Sequence, residues 1–413
     1  MSILDVALDP STVVVAVDPG KVLNRVWVSN GLGLLEEPVS LPVARSGIER
    51  LDGLLAAHPS PARVIAIEAT GSLHRAWADE LERRHPGALR VFAPSETKAA
   101  RIQLGSGRFK TDDRDCAALT YLARQGAGRR HEDETSVDGL RAAVRHRRGL
   151  VGDRKKAQQR LHDQLNALVP GLSAPTGHGE LGRSLPIETP TGQAVLACAV
   201  AFNGRPPSVR SLVARAPGKL TKATAGYWSD RWHGCLPPPA DAEQRAIRLG
   251  RDLARYRSLQ DDIAMVEGEI AGLLTRTDGH VLTSLPGVAV TRAAAFAAHS
   301  LPIAKFPDAE HLYSATGLAP AMYQSASISR RGRISRQGLA EHRDALMGIA
   351  WGLSLYSPSF ADRKAELRAR GMAPIQARVA LARNACRLLY RMLVTQQPFD
   401  EEAYRRARLN RGR

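Results

Sequence analysis

Four carboxylates near the start of the chain are placed so that they can meet. Asp18 closes the apolar run Val13-Val14-Val15-Ala16-Val17, and Glu68 closes the run Val64-Ile65-Ala66-Ile67. Asp112 and Asp115 open an amphipathic stretch from Thr111 to Arg124. Acids at the ends of two buried strands and at a helix start converge on one sheet edge, and residues three apart share one side of a helix. A helix N-terminus also favours carboxylates. Such a cluster suits phosphodiester chemistry, where two divalent ions about 4 Å apart need bridging oxygen ligands and Mg²⁺ (or Mn²⁺) takes carboxylates plus water. Each acid alone has an ordinary explanation, as a turn former in Asp18-Pro19-Gly20 or as a helix cap. Taken together in this order, they favour a metal cluster. Asp113 is an extra acid beside them that could replace Asp112 as a ligand, although helix spacing favours Asp112 with Asp115.

The rest of the composition points the same way. The formal net charge is +17 over 413 residues, with a pI of about 10.3. Arg and Lys release counterions when they meet phosphates, so a polyanion is the natural partner and a small-metabolite enzyme is disfavoured. The cysteines Cys116, Cys198, Cys235 and Cys386 form no CxxC pair, which argues against a zinc site or a disulfide frame. The first residues show no basic segment followed by an apolar one, and no stretch is apolar enough to span a bilayer. The expected location is cytoplasmic and nucleoid-associated.

The elements that must hold these acids follow from periodicity. Residues 11–127 alternate apolar strands with amphipathic helices: strands at 13–17, 22–28, 33–42, 64–67 and 89–92, helices at 48–57, 73–84 and 111–124. Strands first, then alternation, is an α/β layer fold. From Val137 to Leu168 the apolar residues take a 3-4 spacing, with Arg147, Arg154 and Gln158 at the seam, as in a coiled coil or a bundle helix. Residues 171–240 are rich in Pro, Gly, Ser and Thr and read as an irregular insert with short helices. A second long helix at 241–275 suggests an antiparallel pair. Residues 280–395 form a last helical region, in which Leu285-Pro286-Gly287-Val288 resembles a helix-hairpin-helix turn offering N–H groups to phosphate. Residues 404–413 read as a basic, unstructured tail.

The segments Val15-Ala16-Val17-Asp18-Pro19-Gly20-Lys21, Ile67-Glu68-Ala69-Thr70-Gly71 and Lys110-Thr111-Asp112-Asp113-Arg114-Asp115 resemble the DEDD signature of a RuvC-like (RNase H fold) domain. Ser284-Leu285-Pro286-Gly287-Val288, Gly317-Leu318-Ala319-Pro320, Gln324-Ser325 and the run from Arg331 to Gly338 resemble the second domain of the DEDD insertion-sequence transposases, the IS-one-ten group with the Piv-type DNA invertases. The likeness spans nearly the whole chain in order. It implies a transposase whose metal ligands are Asp18, Glu68, Asp112 and Asp115, and a serine nucleophile that matches Ser325. It also implies an element-encoded bridging RNA that pairs with donor and target DNA, leaving the protein to read backbone shape. Where such proteins have Ser-Gly, this chain has Ser325-Ala326-Ser327, so Ser327 stays open as the nucleophile. Cys116 replaces the usual Ala after the last acid, one small residue for another.

The expected architecture is an α/β RNase H-like (RuvC-like) catalytic domain (1–130), a coiled-coil helical linker with an insert (131–277) and a mainly α-helical serine domain (278–413). The expected partners are double-stranded DNA at element ends and target, a bridge RNA and further copies of the chain, as a dimer or tetramer, with no membrane. Candidate phosphate contacts are Lys110, Arg147, Arg148, Arg154, Lys155, Arg330, Arg331 and Arg333. The competing readings are a RuvC-like nuclease without serine chemistry, an actin-like ATPase, and a catalytically dead nucleic-acid-binding protein.

Overall fold

Val13 to Val17 are apolar at every position because both faces of their strand are covered. In a computed structural model of the chain, β1 (Val13–Asp18) lies at the centre of a mixed sheet with β2 (Leu23–Asn30), β3 (Gly33–Leu34), β4 (Val39–Pro42), β5 (Arg63–Glu68), β6 (Leu89–Phe92) and β7 (Arg129–Arg130). The order is β3-β2-β1-β5-β6-β7, with β4 also on β2. β5 and β6 run parallel to β1, whereas β2 is antiparallel to it. Four helices accompany the sheet: α1 (Arg45–Ala57), α2 (Arg75–Arg84), α3 (Pro94–Gln103) and α4 (Asp112–Arg124). Strand alternation divides the side chains between two layers. Val13, Val15, Val17, Ile65 and Ile67 pack with Ile48, Leu51 and Leu55 of α1 and Trp77 and Leu81 of α2. Val14, Ala16, Val64 and Ala66 pack with Cys116, Leu119 and Ala123 of α4.

The structure describes residues 8–105, 109–130, 135–172, 185–325 and 328–410. They cluster into two compact units, Met1–Asp133 and Glu134–Arg413. The second unit is built on α5 (Thr135–Leu168) and α9 (Ala242–Leu274). Between them lie α6 (Pro190–Ala201), α7 (Val209–Arg215) and α8 (Lys222–His233). After them come α10 (Val290–Ser300), α11 (Ala309–Ala315), the hairpin β8 (Pro320–Ser325) and β9 (Ile328–Ile334), and then α12 (Ala340–Tyr356), α13 (Pro358–Ala369), α14 (Pro374–Thr395) and α15 (Glu401–Asn410). Arg147 bonds Glu267 and Gln164 bonds Asp252, so α5 and α9 run antiparallel. Leu249, Leu253, Tyr256, Ile263, Val266 and Ile270 are buried on α9 at spacings of three, four and seven. The N-terminal part of α5 and the C-terminal part of α9 share a core with α10, α12 and α14. The opposite ends share a second core with α6–α8.

Four expectations change. The stretch 33–42 is two short strands, since Pro38 has no N–H to lend a ladder. The Pro-rich region 171–240 is more ordered than expected where it is described. Trp228 and Trp232 anchor it, and the Trp232 indole donates to the Gly204 carbonyl at 3.0 Å. The segment before Gly287 is one short 3₁₀ turn, Asp278–Ser284, and not the first helix of a helix-hairpin-helix. Gly287, at φ +72°, lies against α12, where an added Cβ would sit 2.2 Å from a Tyr356 ring carbon and 2.9 Å from the Gly352 carbonyl oxygen. Gly287→Ala is therefore expected to cost about 2–3 kcal/mol, read as a lower urea midpoint with an unchanged m-value. The tail, lastly, is helical from Glu401 to Asn410. Glu401 accepts from the Ser357 hydroxyl and the Ser359 N–H, and Tyr404 stacks on Phe360 at 5.2 Å. An amphipathic segment that finds such partners is ordered by them, not by its own propensity.

Two histidines lie side by side in the second unit, His342 buried and His299 half-buried. His342 is 2% exposed, with Nε2 2.9 Å from the Ser300 hydroxyl. Burial pushes its imidazole down to about 3 and that of neighbouring His299 down to about 4. Both folded values lie below the unfolded value near 6.5, so the unfolded chain takes up protons first on acidification. Their contribution is intact above about pH 6.5 and is lost as pH falls toward 4. Between pH 7 and 5 the chain is expected to lose about 2 kcal/mol per histidine. Denaturant unfolding of wild type and His342→Gln tests this, because the variant should show roughly half the pH-dependent loss.

Candidate active site

Asp18 and Glu68 stand on neighbouring parallel strands, each directly after the pair Val17 and Ile67 that ends the shared register. Both continue the even-numbered series that faces α4, so alternation alone brings them to the layer where Asp112 and Asp115 begin that helix. Gly20 makes the turn after Asp18 possible: an added Cβ would lie 2.1 Å from the Leu23 carbonyl oxygen. Thr111 caps α4 by accepting from the Arg114 N–H, and this fixes where the helix starts.

The four acids act on one another through their charge. Burial, and then the charges of Asp115, Glu68 and Asp112, push the Asp18 carboxyl up to about 7, against a smaller opposing pull from Lys110. Burial also raises Asp115, while Arg101 and Lys110 pull it down and Glu68 pushes it further up. Glu68 is 7% exposed and accepts from the Thr70 hydroxyl at 2.8 Å. Asp112 is exposed. Asp113 points elsewhere: it takes Arg25 at 2.6 Å and the Trp27 indole at 2.9 Å, and these two donors hold its carboxyl below the ordinary range. That leaves Asp112 free of the tether that holds Asp113.

These residues suit a hard divalent cation. All four are oxygen donors, the class that Mg²⁺ and Mn²⁺ take. Asp18 and Asp115 carry charge that burial and like-charged neighbours make costly, which a cation would relieve. As they stand, no three His, Cys, Asp or Glu side chains among the described residues close to ligand distance. Arg101 holds one oxygen of Asp115 and leaves the other without that bond. Sequence reasoning misses Arg101, Arg25 and Trp27. Nothing local marks them, because their roles arise from strands and helices that are distant in the chain.

The remaining candidates divide by environment. Ser325 is the last residue of β8, its backbone paired with Ile328 across the hairpin. Ser327 lies outside the described residues. Arg330, Arg331 and Arg333 lie on β9, paired with or next to residues of β8. Arg147 is engaged by Glu267 at 2.6 Å, and Arg148 faces Glu341 at 3.2 Å and Asp344 at 3.7 Å. Arg154 and Lys155 have no carboxylate at ion-pair distance among the described residues, which leaves them the freer cations of α5. A cleft of about 400 Å³ lined by Gly171, Tyr227, Asp230, Arg231, Gly234 and Cys235 holds none of the candidate residues. Among the described residues no helix is long and apolar enough to cross a membrane.

Comparison with known proteins gives three likenesses. Residues 4–170 match the DEDD IS110 family model, described as a transposase. Residues 279–365 match the model described as the transposase IS116/IS110/IS902 family. The insertion element IS110 uncharacterized 43.6 kDa protein of Streptomyces coelicolor (strain ATCC BAA-471 / A3(2) / M145) is 34% identical over 327 residues, covering 75% of this chain and 77% of the relative.

Proposed function

Since the chain belongs to the IS110 family of transposases, and is therefore a DNA transposase, we propose that it cuts and rejoins DNA with a divalent-ion carboxylate site and a serine nucleophile. The observation that carries this reading is the placement of Asp18 and Glu68 on one sheet face, at one strand end, in the field of Asp115 and Asp112. A sheet whose central strand has an antiparallel neighbour on one side and parallel neighbours on the other supports an RNase H-like domain. The long antiparallel α5–α9 pair, with apolar residues at three-four spacing, supports a coiled-coil linker within the chain.

In this reading Asp18, Glu68, Asp112 and Asp115 hold the ion. A bound divalent cation there supplies Lewis-acid stabilisation of charge on phosphodiester oxygens. The Ser325 hydroxyl attacks phosphorus. A serine Oγ–P bond forms as a sugar O–P bond breaks, the serine proton leaves, and the released sugar oxygen takes up a proton. The phosphoserine conserves the ester, so a hydroxyl from another strand can reverse the step and join a new partner. Arg154, Lys155, Arg330, Arg331 and Arg333 supply phosphate contacts that fix register without reading bases. A bridging RNA that pairs with donor and target would supply sequence choice. Handling several ends at once calls for a dimer or tetramer.

The test is direct. The purified chain is incubated with Mg²⁺, DNA carrying its element's end and the adjoining transcript, then run on a denaturing gel. A DNA-linked protein band that needs both Mg²⁺ and RNA is expected. Metal-dependent nicking with no linked band would instead establish the RuvC-like nuclease reading.

A further inference from the structure

Asp115 is the most deeply buried of the four acids, its side chain 2% exposed, and its two oxygens meet different neighbours. From the last turn of α3, the Arg101 guanidinium donates a short charge-assisted hydrogen bond to Oδ1. Near Oδ2 is the Lys110 ammonium, 3.9 Å away, on a side chain 70% exposed. The two cations therefore differ in kind. Arg101 is 11% exposed, and its Nε is buried without a hydrogen-bond partner among the described residues, so the side chain is enclosed as well as bonded. Lys110 is a hydrated point charge on a flexible stem, beyond hydrogen-bond distance.

We infer that Arg101 is a positioning residue for metal loading: it fixes the Asp115 carboxylate through Oδ1 so that Oδ2 is the ligand atom, while Lys110 is the mobile counter-charge that withdraws when a divalent ion enters. The inference rests on the ion-site reading above. Groups that hydrogen-bond the far side of a ligating carboxylate orient it, and their loss typically weakens metal binding about 10–100-fold. Removing Lys110 should do the reverse, because it takes away a cation that competes for the same oxygen.

The test is Mn²⁺ binding to the full chain without DNA, measured by the EPR signal of free Mn²⁺. Arg101→Ala would strand a buried carboxylate and risks unfolding, so Arg101→Lys, which keeps the charge but loses the planar fork, is the informative variant. Arg101→Lys is expected to bind Mn²⁺ about 10–100-fold more weakly, with its circular dichroism and thermal midpoint close to wild type. Lys110→Ala is expected to bind Mn²⁺ more tightly than wild type, and unchanged affinity overturns its role as the competing counter-charge. Wild-type affinity in Arg101→Lys, or equal weakening in both variants, overturns the division of roles. Asp18→Asn is the separate control. If it leaves Mn²⁺ affinity unchanged, the ion-site reading itself falls, whatever Arg101 does.

Discussion

Asp18→Asn is expected to lower DNA cleavage by about 10³-fold or more while leaving the chain folded. The loss follows from what a carboxylate ligand supplies: several kcal/mol of charge stabilisation, at about 1.4 kcal/mol per factor of ten. The intact fold follows from the electrostatics. Burial and three neighbouring carboxylates raise Asp18 to about 7, above its ordinary value of 3.8. A folded value above the unfolded one means that the native state favours the neutral acid. Ionisation therefore works against folding, and stability is lost as pH rises from about 4 through 7. Asparagine removes that charge and is close in shape to the protonated acid. In the absence of metal, the variant's thermal midpoint at pH 8 should equal or exceed that of wild type. Cleavage within tenfold of wild type in Mg²⁺ would sink the assignment of Asp18 as a ligand. A lower midpoint would instead mean that the electrostatic reading of the cluster is wrong.

Ser325→Ala is expected to abolish the DNA-linked protein band altogether, a loss on the order of 10³-fold or more, with DNA and RNA binding retained. Removal of a covalent nucleophile removes the oxygen that forms the ester, whereas loss of a serine that merely touches phosphate costs about 1 kcal/mol. The size of the loss thus separates the two roles. Ser327→Ala, two residues on, is the companion variant. If it loses the band and Ser325→Ala keeps it, the nucleophile moves to Ser327. If both keep it, the serine chemistry lies elsewhere. Ser325 ends β8, and Arg330, Arg331 and Arg333 follow on β9, so the hairpin is rich in basic residues. Phosphate contacts there would survive either substitution, so a filter-binding assay gives the control.

Much of this fold can be read from the amino-acid sequence. The apolar runs Val13–Val17 and Val64–Ile67 announce strands buried on both faces, because only such strands dispense with alternation. The acids that end them, and those that open α4, follow from strand and helix period alone. The 3-4 spacing on α9 carries enough turns to be unambiguous. Short or interrupted elements are not legible in the same way. α3 buries only Thr97 and Ala100 and so displays no apolar stripe, and Pro38 splits the edge strand. The segment Glu401–Asn410 is helical because Phe360, Ser357 and Ser359 receive it, none of which lies near it in sequence.

The sequence by itself pointed to the candidate acids and, through period, to the edge of the sheet they reach. Only the tertiary structure decided how each acid is tuned. Asp113 is withdrawn by Arg25 and Trp27 from β2, and Asp115 is gripped by Arg101 from α3. Asp18 is raised by burial and by carboxylates far from it along the chain. Period is a local property that any stretch of chain displays. Charge, by contrast, acts through space, so its effects depend on neighbours that only folding brings together.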